Sequence, residues 1–125
     1  MERKLLLFGF DELPAVLAVA AAAGPFGAEA VPVARKDYNC RLEALARGET
    51  SGAQPYAGGP LGGRMIVLCG LEDQMDGLLP ALRSAGAGPD CLKAVLTAHN
   101  RNWTPAVLFH ELRREQDTIR KQMGR

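Results

Sequence analysis

The chain has 125 residues and a formal net charge of +1, with 47% hydrophobic and 23% charged residues. This length and composition predict one globular domain, residues 1–125, with a core of its own. The small net charge and the aromatic content of 6% argue against nucleic acid and against a charged membrane surface as partners.

The first half of the chain has the pattern of alternating strands and helices. The predicted order is strand, helix, strand, helix, at residues 4–10, 11–24, 29–34 and 37–49. The first strand is almost entirely apolar, which is typical of a strand buried on both faces. Pro32 has no amide donor, so it places the second strand at a sheet edge.

A glycine- and proline-rich segment, residues 50–63, separates the two halves and predicts a flexible linker. The same order of elements then returns, at residues 64–70, 73–85, 91–97 and 104–122. In addition, Gly9-Phe10-Asp11 corresponds to Gly70-Leu71-Glu72. The recurrence predicts two degenerate copies of one β-α-β-α unit, residues 4–49 and 64–122, within a single domain.

The first and third strands are the most apolar, so we expect them at the centre of one four-stranded sheet. Right-handed crossovers then favour a mainly parallel α/β sheet of order 2-1-3-4 with helices on both faces. Ligands bind such sheets outside the carboxyl ends of the central strands, which here carry Asp11 and Glu72. The alternative is a mixed α+β sheet in which the two halves pair antiparallel.

The densest polar cluster is the segment 97–105, just before the last helix. Thr104 stands at an N-cap position with Pro105 after it, which is typical of a rigid strand-to-helix turn. Loops on rigid scaffolds also carry function, so a ligand-binding role is the alternative. The candidate side chains for that role are Thr97, His99, Asn100 and Trp103.

This segment contains the pattern T-x-x-N-x-x-W-T, followed in the last helix by L-x-x-E-L-x-x-E. The residues are Thr97, Asn100, Trp103, Thr104, Leu108, Glu111, Leu112 and Glu115. The pattern resembles the signature of an uncharacterised bacterial domain-of-unknown-function family, over residues 64–116. The first half resembles it only as a degenerate copy. The resemblance implies a fold unit and no particular reaction.

Two arrangements for catalysis remain open. Cys69, near the end of the third strand, is a candidate nucleophile or a buried thiol. Asp11 and Glu72 are a candidate acid–base pair or two helix caps. The two histidines and three cysteines lack the spacing of zinc sites, and no phosphate-binding glycine pattern is present, so we expect neither a metal nor a cofactor.

We therefore expect a non-catalytic binding or regulatory module whose ligand is a small molecule or a protein partner. The alternatives are a small enzyme and an assembly protein that forms a homodimer through a stripe on its last helix, Leu112, Ile119 and Met123. The odd cysteine count predicts reduced thiols and a cytoplasmic protein. The apolar N-terminal stretch is interrupted by Asp11 and Glu12, so we predict neither a secretory signal nor a membrane span.

Overall fold

The computed structural model describes residues 2–123, with side chains described for residues 2–122. Strands and α-helices alternate along the chain. They are β1 (Lys4–Phe8), α1 (Leu13–Ala23), β2 (Glu29–Pro32), α2 (Leu42–Arg47), β3 (Arg64–Cys69), α3 (Met75–Ser84), β4 (Cys91–Val95) and α4 (Pro105–Met123). Short 3₁₀ turns lie at Gly24–Phe26, Arg35–Asp37 and Glu72–Gln74.

The four strands form one sheet in the order β2-β1-β3-β4, as predicted. The pairs β1–β2 and β3–β4 are parallel, so the sheet is mainly parallel and the two proposed edge strands lie at the edges. The central pair is antiparallel, with Lys4 opposite Cys69 and Phe8 opposite Met65. The expectation that the carboxyl ends of the two central strands meet is therefore wrong, and the mixed-sheet alternative describes this pair.

Helices cover both faces of the sheet, as predicted. Alternate residues of the central strands point to opposite faces because side chains alternate along a strand. Leu5, Leu7, Ile66 and Leu68 pack with α1 and α3 in one core cluster. Leu6, Phe8, Met65, Val67 and Cys69 pack with α2 and α4 in the other. The central strands are thus buried on both faces, which accounts for their unbroken apolar sequences.

The elements of the first half are shorter than the sequence predicts. β1 ends at Phe8 because Gly9 has a φ of 78°, outside the extended region. The second helix was expected over 37–49, but α2 spans only Leu42–Arg47 and follows a 3₁₀ turn. Neither α1 nor α3 has a side-chain hydrogen bond at its N-cap. The structure therefore gives no support to Asp11 and Glu72 as helix caps.

The segment 50–63 contains no helix or strand, in agreement with its composition. It nevertheless lies against the α2–α4 face, where Tyr56 and Leu61 pack on the core. The Tyr56 amide donates to the Lys36 carbonyl at 2.9 Å, which ties the segment to the turn after β2. Its flexibility stays a prediction, as does the duplication of the two halves.

The last helix extends beyond the core. Leu112 packs against the α2–α4 cluster, whereas Ile119 is 54% exposed. The side chain of Met123, the third member of the proposed stripe, lies outside the described residues. The proposed homodimer through this helix stays a prediction.

Candidate functional site

The structure separates the two acidic residues that the sequence placed in one crevice. Asp11 follows the carboxyl end of β1, and Glu72 follows the carboxyl end of β3. Because these strands are antiparallel, their carboxyl ends point to opposite ends of the sheet. Asp11 and Glu72 therefore cannot form a carboxylate pair that shares a proton, and the proposed acid–base arrangement is wrong.

The loop before α4 lies at the same end of the sheet as Glu72, opposite to the end where Asp11 lies, because β3 and β4 are parallel. The polar groups of this loop form hydrogen bonds mainly with one another. The Asn100 side-chain oxygen accepts from the Thr97 amide at 2.9 Å, and its Nδ2 donates to the Val95 carbonyl at 3.1 Å. The Thr97 hydroxyl oxygen accepts from the amides of His99 and Asn100. Asn100 is 7% exposed, so its amide serves this turn. These contacts fit the rigid-turn interpretation of T-x-x-N; ligand binding by these residues stays a prediction.

The same loop also satisfies the start of α2. The amide of Leu42 donates to the Trp103 carbonyl, and the amide of Glu43 donates to the Arg101 carbonyl, each at 2.9 Å. Free amides at a helix N-terminus need such acceptors, and a backbone loop supplies them here instead of a cap side chain. Trp103 packs beside the α2–α4 core and meets His99 edge-on at 5.0 Å between ring centroids. Residues of the second half of the chain thus stabilise the N-terminus of α2, a helix of the first half.

Cys69 lies in the core and is inaccessible to solvent. Burial raises the pKa of its thiol to about 12, and the nearby Lys4 lowers it only partly. Burial also raises the pKa of the Cys40 and Cys91 thiols. Cys69 is therefore protonated at neutral pH and cannot be reached by a substrate in this structure, which favours the buried-thiol interpretation.

Within residues 2–122, no three or more His, Cys, Asp or Glu side chains are grouped so that they could hold a metal ion. None of the helices described is both long enough and apolar enough to cross a membrane.

A cleft lies at the carboxyl ends of the parallel pair β1–β2. Its volume is about 520 Å³, within the usual range for small-molecule sites. Three segments line it: residues 9–11 just after β1, the end of β2 and the turn after it within residues 32–38, and residues 60–64, which lead into the start of β3. Of the ligand-binding residues predicted from sequence, Asp11 lines this cleft and the other five do not.

A close approach of two backbones forms part of the cleft wall. A Cβ added to Gly9 would lie 2.7 Å from the Gly63 carbonyl oxygen, closer than real side chains come. Gly9 also has a φ of 78°, which favours glycine. Glycine at position 9 thus lets the start of β3 lie directly beside the end of β1.

Tyr38 supplies a nearly buried hydroxyl to the cleft. The residue is 4% exposed, and its ring lies 5.7 Å from that of Phe8 and 5.5 Å from that of Tyr56. Burial raises the pKa of the Tyr38 hydroxyl, while a hydrogen bond from the Gly9 backbone and the charge of Arg35 act in the opposite direction. The hydroxyl is therefore protonated at neutral pH and available to donate a hydrogen bond.

Three charged residues line the same cleft: Asp11, Arg35 and Arg64. The guanidinium carbon of Arg64 lies 4.9 Å from the centre of the Phe10 ring, a stacked arrangement that holds its side chain in place. Among the described side chains, none forms a salt bridge or hydrogen bond with any of the three. The cleft therefore presents charges of both signs that are free to meet a ligand.

Sequence reasoning missed Tyr38, Arg35 and Arg64 as candidate site residues. A signal for Arg35 was present, because it follows the second strand as Asp11 follows the first. In a parallel pair these two carboxyl ends lie at the same edge. Arg64 had no such signal. It joins the cleft only because β3 starts where β1 ends, which depends on the antiparallel pairing.

These features define a small α/β protein with a mixed four-stranded sheet and an open cleft beside one of its two parallel pairs. Residues 64–118 match a family described as a domain of unknown function (DUF3783). This match confirms that the second half of the chain resembles a domain-of-unknown-function family, and it assigns no activity. The bacterial origin of the family and the T-x-x-N-x-x-W-T signature stay predictions. No curated protein and no solved structure matches the chain.

Proposed function

We propose that the protein is a non-catalytic module that binds a small molecule in the cleft at the carboxyl ends of β1 and β2. The observation that supports this proposal most strongly is the set of groups that line one cleft of about 520 Å³. They are the Tyr38 hydroxyl, the guanidinium groups of Arg35 and Arg64, and the Asp11 carboxylate. Apolar walls with a few polar groups are typical of ligand sites. Cys69 is enclosed in the core, and Asp11 lies far from Glu72, so neither of the two catalytic arrangements supports an enzyme instead.

The position of the cleft supports this proposal. It lies at the carboxyl ends of two neighbouring parallel strands, and open α/β sheets bind their ligands outside such ends. Most of the lining comes from residues 9–38 and 60–63, before the family match begins. The binding role proposed here therefore belongs mainly to the first half of the chain and to the segment 50–63.

The binding role of the cleft can be tested with a substitution that fills the cleft with a larger side chain and leaves the core unchanged. Ala34 is exposed, lies in extended backbone and lines the cleft, so Ala34→Phe places a ring in the cleft at little cost in stability. Ala57→Phe is the matched control, at an exposed position outside the cleft lining. Binding of a small-fragment library is followed through the backbone amide NMR signals of the full chain.

We expect fragments to shift the amides of Gly9, Gly62 and Gly63, and we expect Ala34→Phe to weaken that binding at least about tenfold. Ala57→Phe should bind as the natural chain does. Fragments that leave the three glycine signals unmoved, or that bind Ala34→Phe equally well, would contradict the proposal.

A cytoplasmic location is also proposed, supported by the three free cysteines. Cys40, Cys69 and Cys91 are all buried and unpaired. Thiols persist in a reducing compartment. Protein denatured directly from cells under acid should show three free thiols; a disulfide found there would contradict this location.

A further inference from the structure

We infer that the ligand of this cleft is a small amino-acid-like molecule with an ammonium group and more than one acidic group. This inference rests on the proposed function and names the ligand class. The ammonium group would face Asp11, and the acidic groups would face Arg35 and Arg64.

The first support is the balance of unpaired charge. The cleft presents two guanidinium groups and one carboxylate, and none of the three is neutralised by another described side chain. A ligand that satisfies all three carries two negative charges and one positive charge. Opposite charges that face each other across an interface favour the ligand with matching signs over one with the wrong sign.

The second support is the chemistry of the individual groups. Guanidinium groups bind carboxylates through two parallel hydrogen bonds, and stacking on Phe10 holds the Arg64 group in place for this. The Asp11 carboxylate accepts hydrogen bonds only, so it selects a donor such as ammonium. A lone inorganic anion would meet the Asp11 charge without a compensating contact, which disfavours a simple phosphate site.

The third support is the lining between the charges. Phe10, Val33 and Leu61 line the cleft and offer apolar surface to a short carbon chain. The protonated Tyr38 hydroxyl adds a neutral hydrogen-bond donor at the wall. A compact aliphatic backbone that carries charged ends matches this distribution.

The experiment uses L-glutamate as the probe and N-acetyl-L-glutamate as its analogue without the ammonium charge. Both are titrated into the full chain at constant ionic strength, and the amide signals of Gly9, Gly62 and Gly63 report binding. The variants are Asp11→Asn and Arg35→Gln. Asp76→Asn is the matched control, since Asp76 is exposed on α3 and does not line the cleft.

We expect N-acetyl-L-glutamate to bind the natural chain about fivefold more weakly than L-glutamate does. This ratio of dissociation constants corresponds to the loss of one ion pair that is partly screened by solvent. Asp11→Asn should weaken L-glutamate binding by about the same factor and remove the difference between the two probes. Arg35→Gln should weaken both probes alike, and Asp76→Asn should change neither. This pattern of effects would assign the ammonium contact to Asp11. A purely structural role of Asp11 would weaken the binding of both probes and would not produce it.

The ligand class is overturned if L-glutamate leaves the cleft signals unmoved, or if Asp11→Asn weakens both probes equally. The fragment experiment separates the two proposals. If fragments still bind in a manner sensitive to Ala34→Phe, only the ligand class fails. If they do not, the binding role of the cleft fails as well.

Discussion

Asn100 is the residue on which the turn between β4 and α4 depends. Its side chain accepts from one backbone amide and donates to one backbone carbonyl, and it is 7% exposed. The sequence named Asn100 and its partner Thr97 only as candidate ligand-binding residues and as members of the T-x-x-N-x-x-W-T pattern. Only the structure shows that their side chains bond to the backbone of the turn. The same two residue types could equally contact a ligand, so the sequence did not distinguish the two roles.

Replacing Asn100 tests this arrangement. Asn100→Ala should lower the free energy of unfolding by about 2–3 kcal/mol, because a buried amide and a carbonyl lose their partners. Asn102→Ala is the control, since Asn102 is exposed and, among the described residues, its side chain hydrogen-bonds only with Arg41 at 3.4 Å. It should change stability by less than about 0.5 kcal/mol. Urea unfolding measures both. Equal effects of the two substitutions would contradict the proposed role.

The raised pKa of the buried Cys69 thiol predicts that the protein loses stability at alkaline pH. Its folded pKa is raised to about 12 from an ordinary value of 9.0, so above pH 9 the unfolded chain releases a proton that the folded chain keeps. The stability contributed by the protonated thiol is therefore fully present below pH 9 and is lost as the pH rises towards 12. The expected slope is up to about 1.4 kcal/mol per pH unit.

Cys69→Ala isolates this contribution from those of the other titrating groups. The variant should be less stable at neutral pH because it leaves a small cavity, yet its stability should fall less steeply between pH 9 and 12. Urea unfolding at a series of pH values gives both quantities. An unchanged slope in the variant would show that this thiol is not responsible.

Among the elements, the helices and strands follow from the apolar pattern, whereas their ends do not. Gly9 and Gly70 both have positive φ and end their strands earlier than the apolar pattern suggests. The helix α2 is short because its first amides bond to the loop 97–103, which lies far away in the sequence. A local pattern contains no information about such a distant acceptor.

The direction of β3 relative to β1 was open for a similar reason. A strand with an unbroken apolar sequence buries both faces equally well in either direction. The residues 48–63 between α2 and β3 span up to about 50 Å when extended, while a six-residue strand is about 20 Å long. The connection therefore reaches either end of the sheet, and neither length nor composition selects one.

For the molecule as a whole, we expect the end of α4 to be dispensable for the fold. Residues 119–122 are exposed, and the family match ends at residue 118. A chain that ends at Thr118 should keep the free energy of unfolding within about 1 kcal/mol of the full chain, because little apolar area is lost. Urea unfolding measures this, and a loss above about 2 kcal/mol would contradict it.

The same shortened chain tests the predicted homodimer. Sedimentation of the full and shortened chains compares their oligomeric states directly. A dimer that becomes a monomer on shortening would support an assembly role for the stripe that includes Ile119. Identical states would remove the terminal part of that stripe from any such role.

The elements, the order of the strands, the burial of the two central strands and the resemblance of the second half could all be predicted from the amino-acid sequence. Each of these depends on local patterns: apolar runs, turn residues and proline at an edge strand. The antiparallel direction of the two central strands, in contrast, is visible only in the folded structure. That single choice moves Glu72 away from Asp11 and brings Arg64 into the cleft that Asp11 lines. Pairing across a sheet depends on strand direction, whereas the apolar pattern is the same in both directions.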